Sequence, residues 1–534
     1  MNLLDADAAV ARIPDGATIA VLGTGPVLEP DLLLAALERR FLATGHPRDL
    51  TLFSPMLPGD RPGEGGMNCF AHPGMLRRLI GASFARARHP KLLELIREGA
   101  FEGYVIGMGT AVQLLTAIGA GKPGVFTRVG IGTFLDPRRE GGAMNARSTS
   151  LPVRIEVLDG REYLYYPSLP IDVAIIRGTT ADENGYISFE EETNTLVATE
   201  LALAAHSSGG TVIAQVKRLA RGFSLDPRFV RIPGPLVDSV TVHPRQTQLS
   251  PAMADPAAGW SPFFAGALKH PLTGLAPVPG GAEQIILRRA ALELRPGDVV
   301  NLGASVATRL PLVALQERIN ERVVFTNEHG VFGGMMGTAV GGSFVPAINA
   351  DAVMDSAFQF DFYEGGGLDI TFLGVGEVDA SGDLNVSRFG EEINGPGGFN
   401  TITDRTGRIV FCGTLTSGGL KLRIGNGEVT IATEGRFRKY VPRVEQVTFN
   451  AQRAFAQRQR VLYVTERCVF TLGPDGPVLT EVAPGIDIDR DIRPQVGFAV
   501  TTAERVQTMD QRIFATGPMG LWRTFGREDD AAGT

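Results

Sequence analysis

Cysteine is scarce in this sequence. Cys69, Cys412 and Cys468 are far apart in 534 residues and form no CxxC pair, which argues against a disulfide framework or a zinc site. Long apolar runs are missing as well, so nothing is expected to span a membrane. Positive charge is not in excess: the formal net charge is -7. Aromatic residues make up only 7% and no tract interleaves them with Lys or Arg, so no nucleic-acid surface is expected. There is no GxGxxG followed by a ribose-binding acid, no GxxxxGK[ST] and no GxSxG. Those absences argue against NAD binding, a P-loop and a serine nucleophile elbow. The opening MNLLDADAAVARIPDG places acids before any apolar run and does not read as a secretory leader. A reducing cytoplasm suits these features.

Glycine, by contrast, is plentiful. Its 66 residues follow no three-residue period but cluster beside apolar runs, as tight strand-to-helix turns do in α/β proteins. At about 150 residues per domain the length implies two to four domains. Strands are expected at 17–22, 49–54, 104–106, 172–176 and 211–216, and helices at 30–44, 73–81 and 113–120. That alternation predicts a mainly parallel, helix-covered sheet. Residues 244–280, rich in Pro, Gly and Ala, break the rhythm and read as a linker. The same grammar then restarts. PIDVAIIRGTTADENG at 170–185 is echoed by GLDITFLGVGEVDASG at 367–382. Asp172, Asp182 and Gly185 pair with Asp369, Asp379 and Gly382, all at an offset of 197. This predicts two related domains, 1–245 and 281–525, joined by 246–280 and followed by a flexible tail, 526–534, with the ligand cleft between the domains.

Three segments could carry chemistry. In VVFTNEHGVFGGMMGTAVGG, 323–342, an apolar run ends at Asn327-Glu328-His329-Gly330. A carboxylate at the end of a strand could be a nucleophile, a base, a metal ligand or an ordinary turn residue. The following pairs Gly333-Gly334 and Gly341-Gly342 would let a substrate approach the backbone. In FDFYEGGGLD, 360–369, a triple glycine is tolerated where amides face a ligand or where sheet and loop crowd together. NGPGGFN, 394–400, offers amides for an anion or oxyanion, or is a surface turn.

Taken together, the chain resembles the family I CoA transferases, in the fused two-domain acetate or propionate CoA-transferase branch. The resemblance lies in GEGGMNCFAHPGMLRRLIG (63–81), GKPGVFTRVGIGTFLDPRREGGAMN (121–145) and YLYYPSLPIDVAIIRGTTADENGYISFE (163–190). It continues in GDVVNLG (297–303), NEHGVFGG (327–334), FDFYEGGGLDITFLG (360–374) and EVAPGIDIDRDI (481–492). It implies two α/β domains and CoA transfer from a short-chain acyl-CoA to acetate, propionate, butyrate or a similar acid. Glu328 would carry a glutamyl-CoA thioester. The 395–398 loop would supply amides from Gly395, Gly397 and Gly398, and Asn301-Leu302-Gly303 with Gly333 and Gly334 would line the CoA and substrate cleft. Coenzyme A is then substrate and product, with no metal and no NAD, and the enzyme is a homo-oligomer, dimer or tetramer. His329 stands where that branch has a small residue or proline, and Met335-Met336 replace an aliphatic-Pro pair. These three are expected to flank the acyl pocket. A thioester hydrolase on the same scaffold and a non-catalytic CoA-binding module are the alternatives.

Overall fold

The structure, a computed structural model, describes residues 1–60, 63–84, 87–250, 259–340 and 343–526. Gly341-Gly342, part of the expected linker (251–258) and the tail from 527 onward lie outside the described residues. Two ten-stranded sheets form the frame. The main path of the first runs Asn2–Leu3, Ser239–Val242, Thr211–Ala220, Val173–Asp182, Thr18–Val21, Leu50–Ser54, Leu76–Gly81 and Glu102–Val105, all paired in parallel. The second has a parallel centre of Arg460–Val464, Arg408–Cys412, Ile370–Gly374, Val299–Leu302 and Val324–Asn327. Antiparallel pairs extend it on both sides. The Thr18–Val21, Leu50–Ser54 and Val173–Asp182 strands are buried along their whole length, as expected where helices cover both faces.

One expected element changes type. Residues 73–81, read as a helix, form a turn and then the strand Leu76–Gly81. The Leu-Arg-Arg-Leu spacing imitates a helical face, but parallel pairing on both sides overrides it. The arginines that disguised the strand are satisfied laterally. Arg78 pairs with Glu102 at 2.6 Å and Arg77 donates to the Thr51 hydroxyl at 3.0 Å.

The internal echo has a physical basis. The Asp172 carboxylate accepts the Thr18 amide at 2.7 Å, and Asp369 accepts the Val299 amide at 2.8 Å. Each acid therefore caps the start of the neighbouring parallel strand. Asp182 accepts the amides of Asn184 and Tyr186, and Asp379 accepts those of Ser381 and Asp383. Each of these turns closes through a glycine, Gly185 at φ 86 and Gly382 at φ 84. The strand order around these acids is the same in both sheets.

The two halves are stitched reciprocally. The Leu196 carbonyl accepts the amide of Ser356, first residue of the Ser356–Glu364 helix, at 2.9 Å. The Gly397 carbonyl accepts the amide of Met108, first residue of the Met108–Gly119 helix, at 2.8 Å. Gln113 on that helix donates to Asp361 and Glu364 on the other. We take 1–245 and 281–525 as the two units and 246–280 as the connection. Within it, Ser250 bonds the Pro26 carbonyl at 2.6 Å and the His270 amide bonds Asn349 at 2.6 Å. Residues 259–280 contain neither helix nor strand.

Because the same cap occurs twice, its loss should have the same effect twice. Asp172→Ala and Asp369→Ala should each lower stability by about 1 kcal/mol. Urea unfolding measures both, and a null effect at one position would show that the echo is not energetic there.

Candidate active site

Glu328 follows the last residue of the Val324–Asn327 strand. Beneath it three adjacent strands present polar residues at one level. The Thr326 hydroxyl lies 2.8 Å from the Tyr363 hydroxyl, Asn301 Nδ2 donates to that hydroxyl at 3.1 Å, and Thr371 donates to Asn301 Oδ1 at 2.9 Å. All four residues are buried, so the layer fixes the strand ends relative to the Ser356–Glu364 helix. Asn327 shapes the turn itself: its Oδ1 accepts the His329 amide at 3.0 Å while its Nδ2 reaches Met336 Sδ and the Val345 carbonyl.

The Glu328 side chain meets the 394–398 loop. The Gly398 amide donates to Oε2 at 3.0 Å. Burial pushes the carboxyl up to about 7, against the lowering effect of that amide. Gly398 has φ -81, which any residue can adopt, but a Cβ there would lie 2.0 Å from Glu328 Oε2 and 3.0 Å from the Phe360 ring. A side chain there would displace the Glu328 carboxylate. The loop is bound to the first half. The Gly397 amide bonds the Ala82 carbonyl at 2.9 Å, and the Phe84 amide bonds the Asn394 carbonyl at 2.6 Å. Glu328 therefore sits where the carboxyl ends of strands from both sheets converge, as ligand sites do in α/β folds.

The expected site residues divide accordingly. Glu328 and Gly398 are brought together. Gly395 and Gly397 keep their place in the loop, but their amides are committed to the carbonyls of Ser387 and Ala82, so they are not free donors. Asn301 and Leu302 do not line a cleft: both are buried, Asn301 in the polar layer and Leu302 in the core. Gly303 is half-buried and donates to the Phe372 carbonyl. Gly333 and Gly334 serve packing, since Cβ atoms there would come within 1.9 Å of Asp351 and 2.3 Å of the Ile348 carbonyl. Met335 and Met336 belong to the second half's core, and Met336 touches the turn through Asn327. The triple glycine ends a helix, its amides bonding the carbonyls of Asp361, Tyr363 and Phe362.

His329 diverges from Glu328. Its Nε2 lies 3.5 Å from the Thr24 hydroxyl of the first half, its carbonyl accepts from Asn194, and its ring packs edge-on against Phe344. Burial, helped by the positive charge of Arg88, pushes the ring down to about 3, so it is neutral. Thr24, Met108 and Arg88 were not singled out from sequence, whereas Phe360 and Tyr363 fall in the 360–369 segment, which was read for its glycines. The string GTGPVLEP (23–30) was the available signal, because it follows a strand end directly.

The raised Glu328 value sets a pH dependence. The folded carboxyl holds its proton more tightly than an ordinary one with a value of 4.5. The ionisation penalty is therefore absent below that value, grows from 4.5 to about 7 and is complete above. Glu328→Gln removes it, so the variant should gain stability over wild type as pH rises through that window. Urea unfolding at about pH 5 and about pH 8 reads this out, and an equal difference at both would refute it.

Comparisons with known proteins identify the family and the fold. Residues 3–243 match the coenzyme A transferase family model. The chain is 38% identical to the acetate CoA-transferase YdiF of Escherichia coli K12, over 97% of this chain and 96% of that protein. It is 37% identical to the caffeate CoA-transferase of Acetobacterium woodii, over 98% and 100%. Among solved structures, the thioester complex with CoA of the acyl-CoA transferase YdiF from E. coli O157:H7 superposes with a TM-score of 0.90 at 36% identity, covering 97% of each chain. The chain belongs to the coenzyme A transferase family and is an enzyme that moves CoA from an acyl-CoA to a carboxylate.

Proposed function

We propose that Glu328 is the residue on which CoA is held during transfer, and that the acids exchanged are short-chain carboxylic acids. The observation that carries this reading is the Gly398 amide on Oε2 of a desolvated, strand-end carboxylate. Removal from water strengthens the carboxylate as a base and as a nucleophile. Oε1, the oxygen that Gly398 does not hold, attacks the acyl-CoA carbonyl. The carbon–sulfur bond breaks, leaving a mixed anhydride and CoA thiolate. The thiolate then attacks the glutamyl carbon, and the first acid departs as its carboxylate. During that attack the charge develops on the glutamyl oxygen already facing Gly398. One amide thus orients the nucleophile and then stabilises the oxyanion. The acceptor carboxylate attacks the glutamyl thioester and reverses the sequence. The thioester energy is conserved only while water is kept out.

The same reading extends to the substrates, assembly and location of the enzyme. Acetate as a substrate follows from the name of the E. coli relative, and caffeate in the other relative points to a pocket that varies within this group. His329, beside Thr24 and Phe344, is the residue we assign to that pocket. A cytoplasmic homo-oligomer, dimer or tetramer, completes the proposal. Among the described residues no helix is long and apolar enough to cross a membrane, and no cluster of His, Cys, Asp or Glu is set to hold a metal ion.

The direct test is mass spectrometry of peptides from enzyme incubated with acyl-CoA and no acceptor. A CoA adduct on the peptide containing Glu328, absent from Glu328→Ala, is expected. An adduct elsewhere, or undiminished transfer by the alanine variant, would end the assignment. Free thiol released without acceptor would favour hydrolysis.

Gly398→Ala tests the amide. Its Cβ would collide with Glu328 Oε2, and turnover should fall by on the order of 100-fold with a much smaller change in KM. Equal losses in both would assign the loop to ligand binding alone.

A further inference from the structure

CoA transfer through Glu328 passes through two kinds of tetrahedral centre, and the Gly398 amide serves one of them. When the CoA thiolate or the acceptor acid attacks the glutamyl carbon, charge develops on the glutamyl oxygen that Gly398 faces. When Glu328 attacks the acyl-CoA, charge develops instead on the oxygen of the acyl group. That oxygen calls for a donor of its own.

Gly397 marks the space for the acyl group. A Cβ on it would stand 3.9 Å from Glu328 Oε1, 3.9 Å from Met108 Cε and 4.0 Å from Ser83 Cβ, and no other atom beyond its chain neighbours comes as near. Its φ of 55 lies in the left-handed region that favours glycine, so the space stays open. Oε1 is the carboxylate oxygen that Gly398 leaves free. An attacking oxygen, an apolar methyl group and a serine therefore border one open point, with the last two coming from the first half.

Ser83 is fixed there through both its neighbours. The Ala82 carbonyl accepts the Gly397 amide at 2.9 Å, and the Phe84 amide donates to the Asn394 carbonyl at 2.6 Å. Ser83 is thus clamped to the same loop that carries Gly398. It lies just beyond the carboxyl end of the Leu76–Gly81 strand, as Glu328 lies just beyond the end of Val324–Asn327. It is half-buried, and among the described residues neither its hydroxyl nor its amide has a hydrogen-bond partner.

We propose that Ser83 is a catalytic residue whose hydroxyl donates to the acyl oxygen, so that each half of the chain supplies one oxyanion donor. The proposal rests on Glu328 being the nucleophile. In the first step Oε1 bonds to the acyl carbon, and the carbonyl electron pair moves onto the acyl oxygen, where Ser83 stabilises it. The pair returns as the carbon–sulfur bond breaks and the thiolate leaves. That oxygen then belongs to the acyl side of the anhydride and, after thiolate attack on the glutamyl carbon, to the carboxylate of the departing acid. Ser83 keeps the same partner from acyl-CoA to free acid, and it holds the acceptor acid by the equivalent oxygen. The hydroxyl keeps its own proton throughout.

Two reactions separate the centres. Formation of the glutamyl-CoA adduct from propionyl-CoA requires both. Cleavage of the isolated adduct by hydroxylamine, giving a glutamyl hydroxamate and free CoA, requires the glutamyl centre alone. Ser83→Ala should slow adduct formation by on the order of 100-fold and leave the hydroxylamine step within about twofold of wild type. Ser83→Thr, which keeps a hydroxyl, should recover part of the loss. Adduct formation at the wild-type rate in Ser83→Ala would overturn the proposal. Equal slowing of both reactions would also overturn it, by giving Ser83 a structural role only. If Ser83→Ala fails to fold, Ser83→Cys, a weaker donor of similar size, carries the same comparison. If wild type forms no adduct on Glu328, the nucleophile reading falls first; with that adduct present, the two rates decide Ser83 alone.

Discussion

One hydrogen bond, from the Gly398 amide to the Glu328 carboxylate, organises most of this molecule. It needs a loop of the second half held in position; Ser387 of the same half holds one end, and the first half holds the other. Ala82 takes the Gly397 amide and Met108 donates to the Gly397 carbonyl. Moving the two halves apart would therefore remove the donor from the acid even though both lie in the same half. That is a structural reason for the chemistry to sit at the interface.

The electrostatics follow from the same placement. Among the described residues Glu328 has an amide and no cation beside it, and burial dominates, raising its value to about 7. A lysine or arginine in contact would have stabilised the anion and blunted it as a nucleophile. The charge of Arg88 helps burial depress His329. His329 is neutral and turned toward Thr24. It has no hydrogen bond to Glu328 among the described residues, so it does not form a dyad with it or give water a ready base.

Much of the frame was legible because it depends on local rules. Asp172 and Asp369 are needed wherever a parallel strand begins beside another, so the repeat survives in the sequence as an offset. Glu328 was legible as a polar residue ending an apolar run. The failures have a common cause, which is that neighbours distant in sequence decided the outcome. Leu76–Gly81 became a strand because two flanking strands claimed it. Asn301 looked like a cleft residue, but its partners, Tyr363 and Thr371, lie more than sixty positions away and are brought to it only by sheet order. The Gly395 and Gly397 amides were attractive as donors until the carbonyls of Ser387 and Ala82 were placed against them. Ser83 belongs to no motif, and only its position across from Gly397 brings it near the Glu328 carboxylate.

The duplicated architecture makes the single active site informative. Thr18 pairs with Thr51 as Val299 pairs with Val324, and Ala20 with Phe53 as Asn301 with Thr326. Carrying that register forward, Ser54 corresponds to Asn327 and the residue corresponding to Glu328 is Pro55. The stitching is similarly paired, with Leu196 accepting Ser356 where Gly397 accepts Met108. Both residues have positive φ, 52 for Leu196 and 55 for Gly397, although only one is glycine. Two such strand ends therefore exist, and only one carries a carboxylate. The first half, whose corresponding strand is followed by Pro55, has kept the loop contacts: its Ala82 carbonyl takes the Gly397 amide and its Met108 amide meets the Gly397 carbonyl. Symmetry accounts for the fold, and the departure from symmetry at Pro55 and Glu328 is what the proposed division of labour rests on, with the second half holding the bond and the first shaping what is bound.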